Sequence, residues 1–127
     1  MEYRNFGKSG LKVSVISLGT ANIWKPENEE SDTELIKAAF DAGINFFDSA
    51  EVYAMGKSET TLGRILKKLD IEREKVVIST KIWIAPDPDR NSKSTTNKKH
   101  IKESVKKSLQ RLQMDYVDIV FAHSYDF

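Results

Sequence analysis

Four side chains able to move or hold a proton stand at, or just past, the ends of apolar runs. Ile44-Asn45-Phe46-Phe47 leads into Asp48, with Tyr53 five positions on. Val76-Val77-Ile78-Ser79-Thr80 leads into Lys81, and Tyr116-Val117-Asp118-Ile119-Val120-Phe121-Ala122 leads into His123. An apolar run after a glycine, here Gly43, reads as a buried parallel strand. In a barrel of alternating strands and helices, the C-terminal strand ends carry the chemistry. Taken singly, each residue is no more than a polar strand exit. Together, a carboxylate, a phenol, an ammonium and an imidazole form a proton-transfer set. A free phenol has a pKa of about 10, too high for efficient transfer near neutral pH, and a cation beside it stabilises the phenolate. Lys81 would supply that cation, Asp48 would hold Lys81 by an ion pair, and Tyr53 would act as general acid. His123 would donate to the substrate oxygen.

The elements that must position these residues follow from hydrophobic spacing and turn chemistry. Residues 3–14 alternate loosely around Gly7-Lys8-Ser9-Gly10, which predicts a β-hairpin. A phosphate-cradling reading of those glycines needs a helix start directly after them, and none follows. Val15-Ile16-Ser17-Leu18-Gly19-Thr20 reads as the first strand of the main sheet. Gly19 would allow close approach of backbone or ligand, with Thr20 at the strand end. Ser31-Asp32-Thr33-Glu34 has the form of a capping box. Leu35, Ile36, Ala39 and Phe40 then give an apolar helical face, which Gly43 closes. The second strand spans 44–48. Ser58 is expected to cap a helix with Leu62, Ile65, Leu66 and Leu69 inward, and Glu59 to complement its dipole.

The third strand runs from Val76 to Thr80. Trp83 and Ile84 follow Lys81 as pocket wall or loop packing, and a long polar loop spans Ala85 to Asn97. Loops of that length in compact domains are commonly functional. Residues 98–113 read as a helix with Ile101, Val105, Leu109 and Leu112 inward. Its lysines form a solvated face, because the aromatic interleaving of a nucleic-acid surface is absent. His100 falls on that outer side and receives no role.

The chain has 127 residues, 39% hydrophobic and 31% charged, with net charge +1 and no cysteine. This is the composition of one soluble globular domain spanning 1–127. No apolar run approaches the ~20 residues of a membrane helix, and Met1-Glu2-Tyr3-Arg4 lacks a signal-peptide pattern. Disulfides and thiolate metal sites are excluded, which fits the cytoplasm. No metal site and no nucleic acid partner are expected.

The set of four, with its surrounding motifs, resembles the aldo-keto reductases. The resemblance rests on residues 3–14, Leu18-Gly19-Thr20, Phe47-Asp48-Ser49-Ala50-Glu51-Val52-Tyr53, Ser79-Thr80-Lys81 and Met114-Asp115-Tyr116-Val117-Asp118. Within the family it is greatest to the branch holding the beta subunits of voltage-gated potassium channels. That branch carries a Trp directly after the Thr and a glycine-rich loop, where this chain has Ala21-Asn22-Ile23-Trp24-Lys25-Pro26. Trp24 is thus a candidate pocket wall. Animal channel subunits have Asn where His123 stands, and typical reductases have His.

The resemblance implies an α/β fold, the N-terminal half of a (β/α)₈ TIM barrel behind a short β-hairpin plug. It ends after about the fourth strand, since a complete barrel takes roughly 250 residues. It implies NADPH-dependent reduction of an aldehyde or ketone, with Asp48, Tyr53, Lys81 and His123 catalytic. Gly19, Thr20 and Asp48 would lie near the nicotinamide-ribose side of NADPH. The NADP diphosphate and 2′-phosphate loops of the family follow strands seven and eight, which are absent here. Two other readings stay open: a cofactor-sensing subunit of a potassium channel, and an inactive half barrel. A half barrel leaves strand edges unpaired and apolar surface exposed, inviting self-association.

Overall fold

The computed structural model describes residues 1–83 and 96–124. Ile84 and residues 85–95 of the expected polar loop lie outside the described residues. β1 (Tyr3–Asn5) and β2 (Lys12–Ser14) pair antiparallel, with Tyr3 opposite Ser14. The turn between them uses Gly7 and Gly10 at φ 57° and 82°, a region open to glycine without steric cost. The hairpin is fastened to the segment that leads into the main sheet. Asn45 accepts from the Ser14 amide at 2.8 Å and donates to the Lys12 carbonyl at 3.0 Å, while the Tyr3 hydroxyl donates to Gly43 at 2.8 Å.

Four parallel strands form the main sheet, in the order β3 (Leu18–Gly19), β4 (Phe46–Asp48), β5 (Val77–Ile82) and β6 (Ile119–Ala122). Helices α1 (Glu29–Asp41), α2 (Lys57–Lys68) and α3 (Lys98–Leu112) connect them in turn. Strand neighbours in sequence are neighbours in space, the arrangement that a helical crossover between parallel strands produces. Phe47 is opposite Ile78, and both are fully buried on the helix side with Ile23, Ile36, Leu62, Ile65, Leu66, Val76 and Leu112. Each such side chain contributes about 1.5–3 kcal/mol by leaving water. Because side chains alternate along a strand, Asp48 turns to the other face.

All three helices end in the same way. Gly43, Asp70 and Gln113 adopt positive φ after α1, α2 and α3 respectively. In each case the next amide reaches back over the last turn: Ile44 to Ala39, Ile71 to Leu66, and Met114 to Leu109, at 3.0–3.1 Å. These are Schellman closures, which satisfy carbonyls the helix leaves bare. The closure after α1 takes Ile44, so β4 begins at Phe46 rather than at residue 44.

Several expected boundaries are corrected. Val15, Ile16 and Ser17 are not in a strand, and Val15 and Ile16 are exposed. Ser14 Oγ donates to the Ile16 carbonyl and the Val15 amide bonds to Glu2, so the chain turns out of the hairpin before entering β3. The capping box does not form. α1 starts at Glu29, two residues before Ser31, whose hydroxyl instead donates to the Asn28 carbonyl. Acidic residues Glu29, Glu30 and Asp32 complement the dipole there. Leu35 lies outside the buried face. Ser58 likewise is no cap, because α2 begins at Lys57 after Gly56. β5 starts one residue later than expected and extends through Lys81 to Ile82.

α2 and α3 meet backbone to backbone. A Cβ built on Gly63 would stand 2.1 Å from the Leu112 carbonyl oxygen, far inside van der Waals contact. Beside this crossing Glu59 is fully buried, and it is no mere dipole partner. It accepts from Thr80 Oγ1 and from Arg111 Nε, both at 2.6 Å, and so joins β5, α2 and α3. Gly63→Ala is expected to destabilise the fold by about 1–3 kcal/mol through overpacking. A lowered midpoint in chemical denaturation would show it, and an unchanged midpoint would mean that the helices part at no cost.

Candidate active site

The pairing of Asp48 with Ser79 across β4 and β5 puts Asp48, Ser79 and Lys81 on one face of the sheet. There the Lys81 ammonium donates to Asp48 Oδ2 at 2.5 Å, to the Ser49 carbonyl at 2.9 Å and to the Tyr53 phenol oxygen at 3.0 Å. An ammonium has three donors, and all three are used. The side chains of Lys81 and Asp48 are 15% and 24% exposed, so solvent screens the pair only in part. Ser79 Oγ donates to the other oxygen, Asp48 Oδ1, at 2.5 Å. Ser79 was not singled out from sequence, although its place two residues before Lys81 in a strand puts it on the same face.

Tyr53 arrives from a turn bonded to β5. The Glu51 amide donates to the Lys81 carbonyl at 3.2 Å, and the Tyr53 amide to Ala50 at 3.1 Å. Ala54, Met55 and Gly56 then hold φ of 49°, 57° and 83° before α2 begins. Two consecutive non-glycine residues in the left-handed region store strain of order 1–3 kcal/mol each. The Lys81 ammonium donates to the phenol oxygen, so the phenol's own proton points elsewhere and is available to an acceptor.

His123 follows β6 directly, its amide bonded to the Ile82 carbonyl at 3.0 Å. Its ring stands edge-on to Tyr53, with centroids 5.8 Å apart at 84°, and to Trp83 at 6.0 Å and 67°. Nδ1 is buried with no hydrogen-bond partner among the described residues. Burial and then the Lys81 charge hold its pKa below the ordinary 6.5, against opposing pushes from Asp48 and Glu51. The imidazole is therefore neutral at pH 7.

Gly19 lies opposite Asp48 at the end of β3, exposed, and an added Cβ would meet nothing within 4 Å. The space beside Asp48 is open at this point. Thr20 is fully buried and turned inward. Its hydroxyl donates to the Asp48 carbonyl at 3.1 Å, and Ser58 Oγ donates to both the Thr20 carbonyl and its hydroxyl. Trp24 sits between two ammoniums, Lys25 and Lys57, each 5.7 Å from the ring.

The assignment of His100 to the outer face of α3 is overturned. It is fully buried, as are Ser104, Ser108 and Leu112. These residues recur every four positions and form the stripe that faces α2 and the sheet. Ile101, one position away, is exposed and Val105 only half-buried. His100 Nε2 lies 3.3 Å from Glu51 Oε1 in the turn between Asp48 and Tyr53. Glu51 was quoted only as part of a motif, and nothing local in the sequence marks it as a buried carboxylate.

Residues 15–127 match the family described as the aldo/keto reductase family. The chain is 44% identical over 131 residues to the "Probable voltage-gated potassium channel subunit beta" of Arabidopsis thaliana, covering 99% of this chain and 38% of that protein. Among solved structures it resembles a Pseudomonas aeruginosa protein assigned to the aldo-keto reductases, with TM-score 0.81 and 34% identity over 96% of this chain and 47% of the other. It also resembles the holo form of an aldo-keto reductase from Bacillus halodurans, with TM-score 0.82 and 30% identity over 94% of this chain and 39% of the other. The expected α/β fold with a parallel sheet is therefore present. The chain spans less than half the length of each of these proteins and corresponds to the N-terminal part of their barrels.

A pH prediction follows from His123. Its folded pKa lies below the unfolded value, so its neutral form contributes stability that is fully present above about pH 6.5. That contribution is lost as pH falls from 6.5 toward the folded pKa. Between pH 7.5 and pH 5.5, His123→Asn is expected to lose less melting temperature than the parent, and equal losses would contradict the assignment.

Proposed function

Because the chain belongs to the aldo/keto reductase family, we propose that it carries the acid–base side of a site that reduces an aldehyde or ketone with NADPH. One observation carries this reading: a single ammonium donates at once to the Asp48 carboxylate and to the Tyr53 phenol oxygen. Asp48 holds Lys81 in place and balances its charge. Lys81 stabilises the phenolate that forms when Tyr53 gives its proton to the carbonyl oxygen. His123, kept neutral by burial, donates from its ring to the same oxygen and orients it. The edge-on contact with Tyr53 keeps the two donors side by side.

NADPH, when bound, supplies the hydride that no side chain can provide. The open approach at Gly19 and its pairing with Asp48 fit the nicotinamide-ribose side of such a cofactor. Thr20 serves from behind, since its hydroxyl is committed to Asp48 and Ser58. The small carbonyl substrate would enter beside Tyr53, His123 and Trp83. No helix among the described residues is long and apolar enough to cross a membrane.

A second reading, a cofactor-sensing subunit of a potassium channel, draws support from the 44% identity to the Arabidopsis protein. Steady-state aldehyde reduction against co-purification with a channel separates the two. Tyr53→Phe is expected to cut reduction by about 10²–10⁴-fold while leaving saturable NADPH binding, followed by cofactor fluorescence, in place. Unchanged turnover would remove Tyr53 from its role. A parent chain that binds no NADPH would leave the third reading, an inactive half barrel.

A further inference from the structure

Glu51 is a fully buried carboxylate that takes no part in the proton transfer described above. Its position is nevertheless central. Three residues after Asp48, its amide bonds to the Lys81 carbonyl. Oε1 accepts from the Trp83 amide at 2.8 Å and lies 3.3 Å from His100 Nε2, whose neighbour Ser104 Oγ is also 3.3 Å away. Oε2 has no partner among the described residues. Withdrawing a carboxylate from water costs several kcal/mol unless its charge is compensated. A residue of this kind, placed between the catalytic turn and the end of β5, calls for a use.

We infer that Glu51 is a positioning residue: it fixes the Lys81–Trp83 end of β5 and so holds the Trp83 indole against the His123 imidazole, with His100 of α3 as its buried partner. The inference rests on the reductase reading of the site. Trp83 has its main chain anchored by the carboxylate and its ring 6.0 Å from that of His123. His123 is faced by Tyr53, by Lys81 of β5, by Asp48 of β4 and by the indole. Glu51 is faced by His100 from α3 and by the main chain of Lys81 and Trp83. Its negative charge also acts on His123, favouring protonation against burial and Lys81. One side chain thereby bears on both the orientation and the charge balance of the imidazole, the latter after burial, Lys81 and Asp48.

Two substitutions separate these effects. Glu51→Gln keeps Oε1 for the Trp83 amide and for His100 Nε2, both of which meet that one atom, and removes the charge while placing an amide nitrogen at the unpartnered Oε2. Glu51→Ala removes both. With histidine isotopically labelled, the two histidines of the sequence are followed by NMR, and His100→Gln identifies their signals. The His123 titration is expected to move to lower pH in both Glu51 variants. Trp83 emission, read in a Trp24→Phe background, is expected to change in Glu51→Ala and to stay near the parent's in Glu51→Gln. In aldehyde reduction, Glu51→Ala should lower kcat by about tenfold or more at unchanged KM for NADPH, with Glu51→Gln restoring much of it.

A His123 titration and a Trp83 emission unmoved in both variants would overturn the positioning role. If Glu51→Ala fails to fold, Glu51→Leu, which keeps the bulk and loses the acceptor for the Trp83 amide, is read in its place. Shifted spectra in a parent that reduces no aldehyde would uphold the positioning role and sink the reductase reading instead.

Discussion

A primary ammonium drawn mostly out of water must spend each of its donors on an acceptor, and the arrangement around Lys81 follows from that requirement. Asp48 Oδ2, the Ser49 carbonyl and the Tyr53 oxygen are three acceptors from the one stretch Asp48 to Tyr53, converging on a side chain from the neighbouring strand. The convergence needs β4 and β5 in a single register, since a slip of one residue would send Asp48 to the helix side. It also needs the chain to turn sharply after Asp48, so that the phenol reaches Lys81 on the neighbouring strand β5. The strained residues Ala54 and Met55 are where that turn is completed. The unfavourable backbone there is tolerated because the ammonium and the two strands over-determine the position of Tyr53.

Behind the sheet, the helix layer is held by polar as much as by apolar contacts. Glu59 ties Thr80 on β5 to Arg111 on α3, and Ser58 ties α2 to Thr20 after β3. Thr80 and Thr20 are neighbours in sequence of Lys81 and Gly19, so these ties fix the strand ends from the side away from the site. α3 crosses α2 closely at Gly63 near its last residue, Leu112, and at its other end His100 reaches the turn that carries Glu51. Helix packing and site geometry are one problem here.

The strand–helix alternation was legible because apolar runs and glycine stops report directly on burial and helix closure. The hairpin, the four strands and the three helices all form near their expected places. The convergence of Asp48, Tyr53, Lys81 and His123 was legible for a related reason, as each stands where an apolar run gives out. What stayed hidden depends on contacts between distant segments. His100, Ser104 and Ser108 look like surface residues, and the packing of α3 against α2 and β5 makes that polar stripe the buried one. Val15 and Ile16 have the composition of a strand but no partner to pair with, because Ser14 and Glu2 have already turned the chain. Ser31 and Ser58 resemble caps, yet their hydroxyls serve Asn28 and Thr20. Local pattern names a residue's options, and the tertiary neighbour chooses among them.

The shared closure of the three helices bears on how such a chain can change over time. Gly43, Asp70 and Gln113 end their helices by one compact device, so the return from helix to strand is short and stereotyped at one rim of the sheet. At the opposite rim the turn after β4 carries Tyr53, and Trp83 stands directly after β5. The helix closures thus stand at one end of the sheet and the candidate site residues at the other. A change of side chain along the second rim need not disturb the closures at the first.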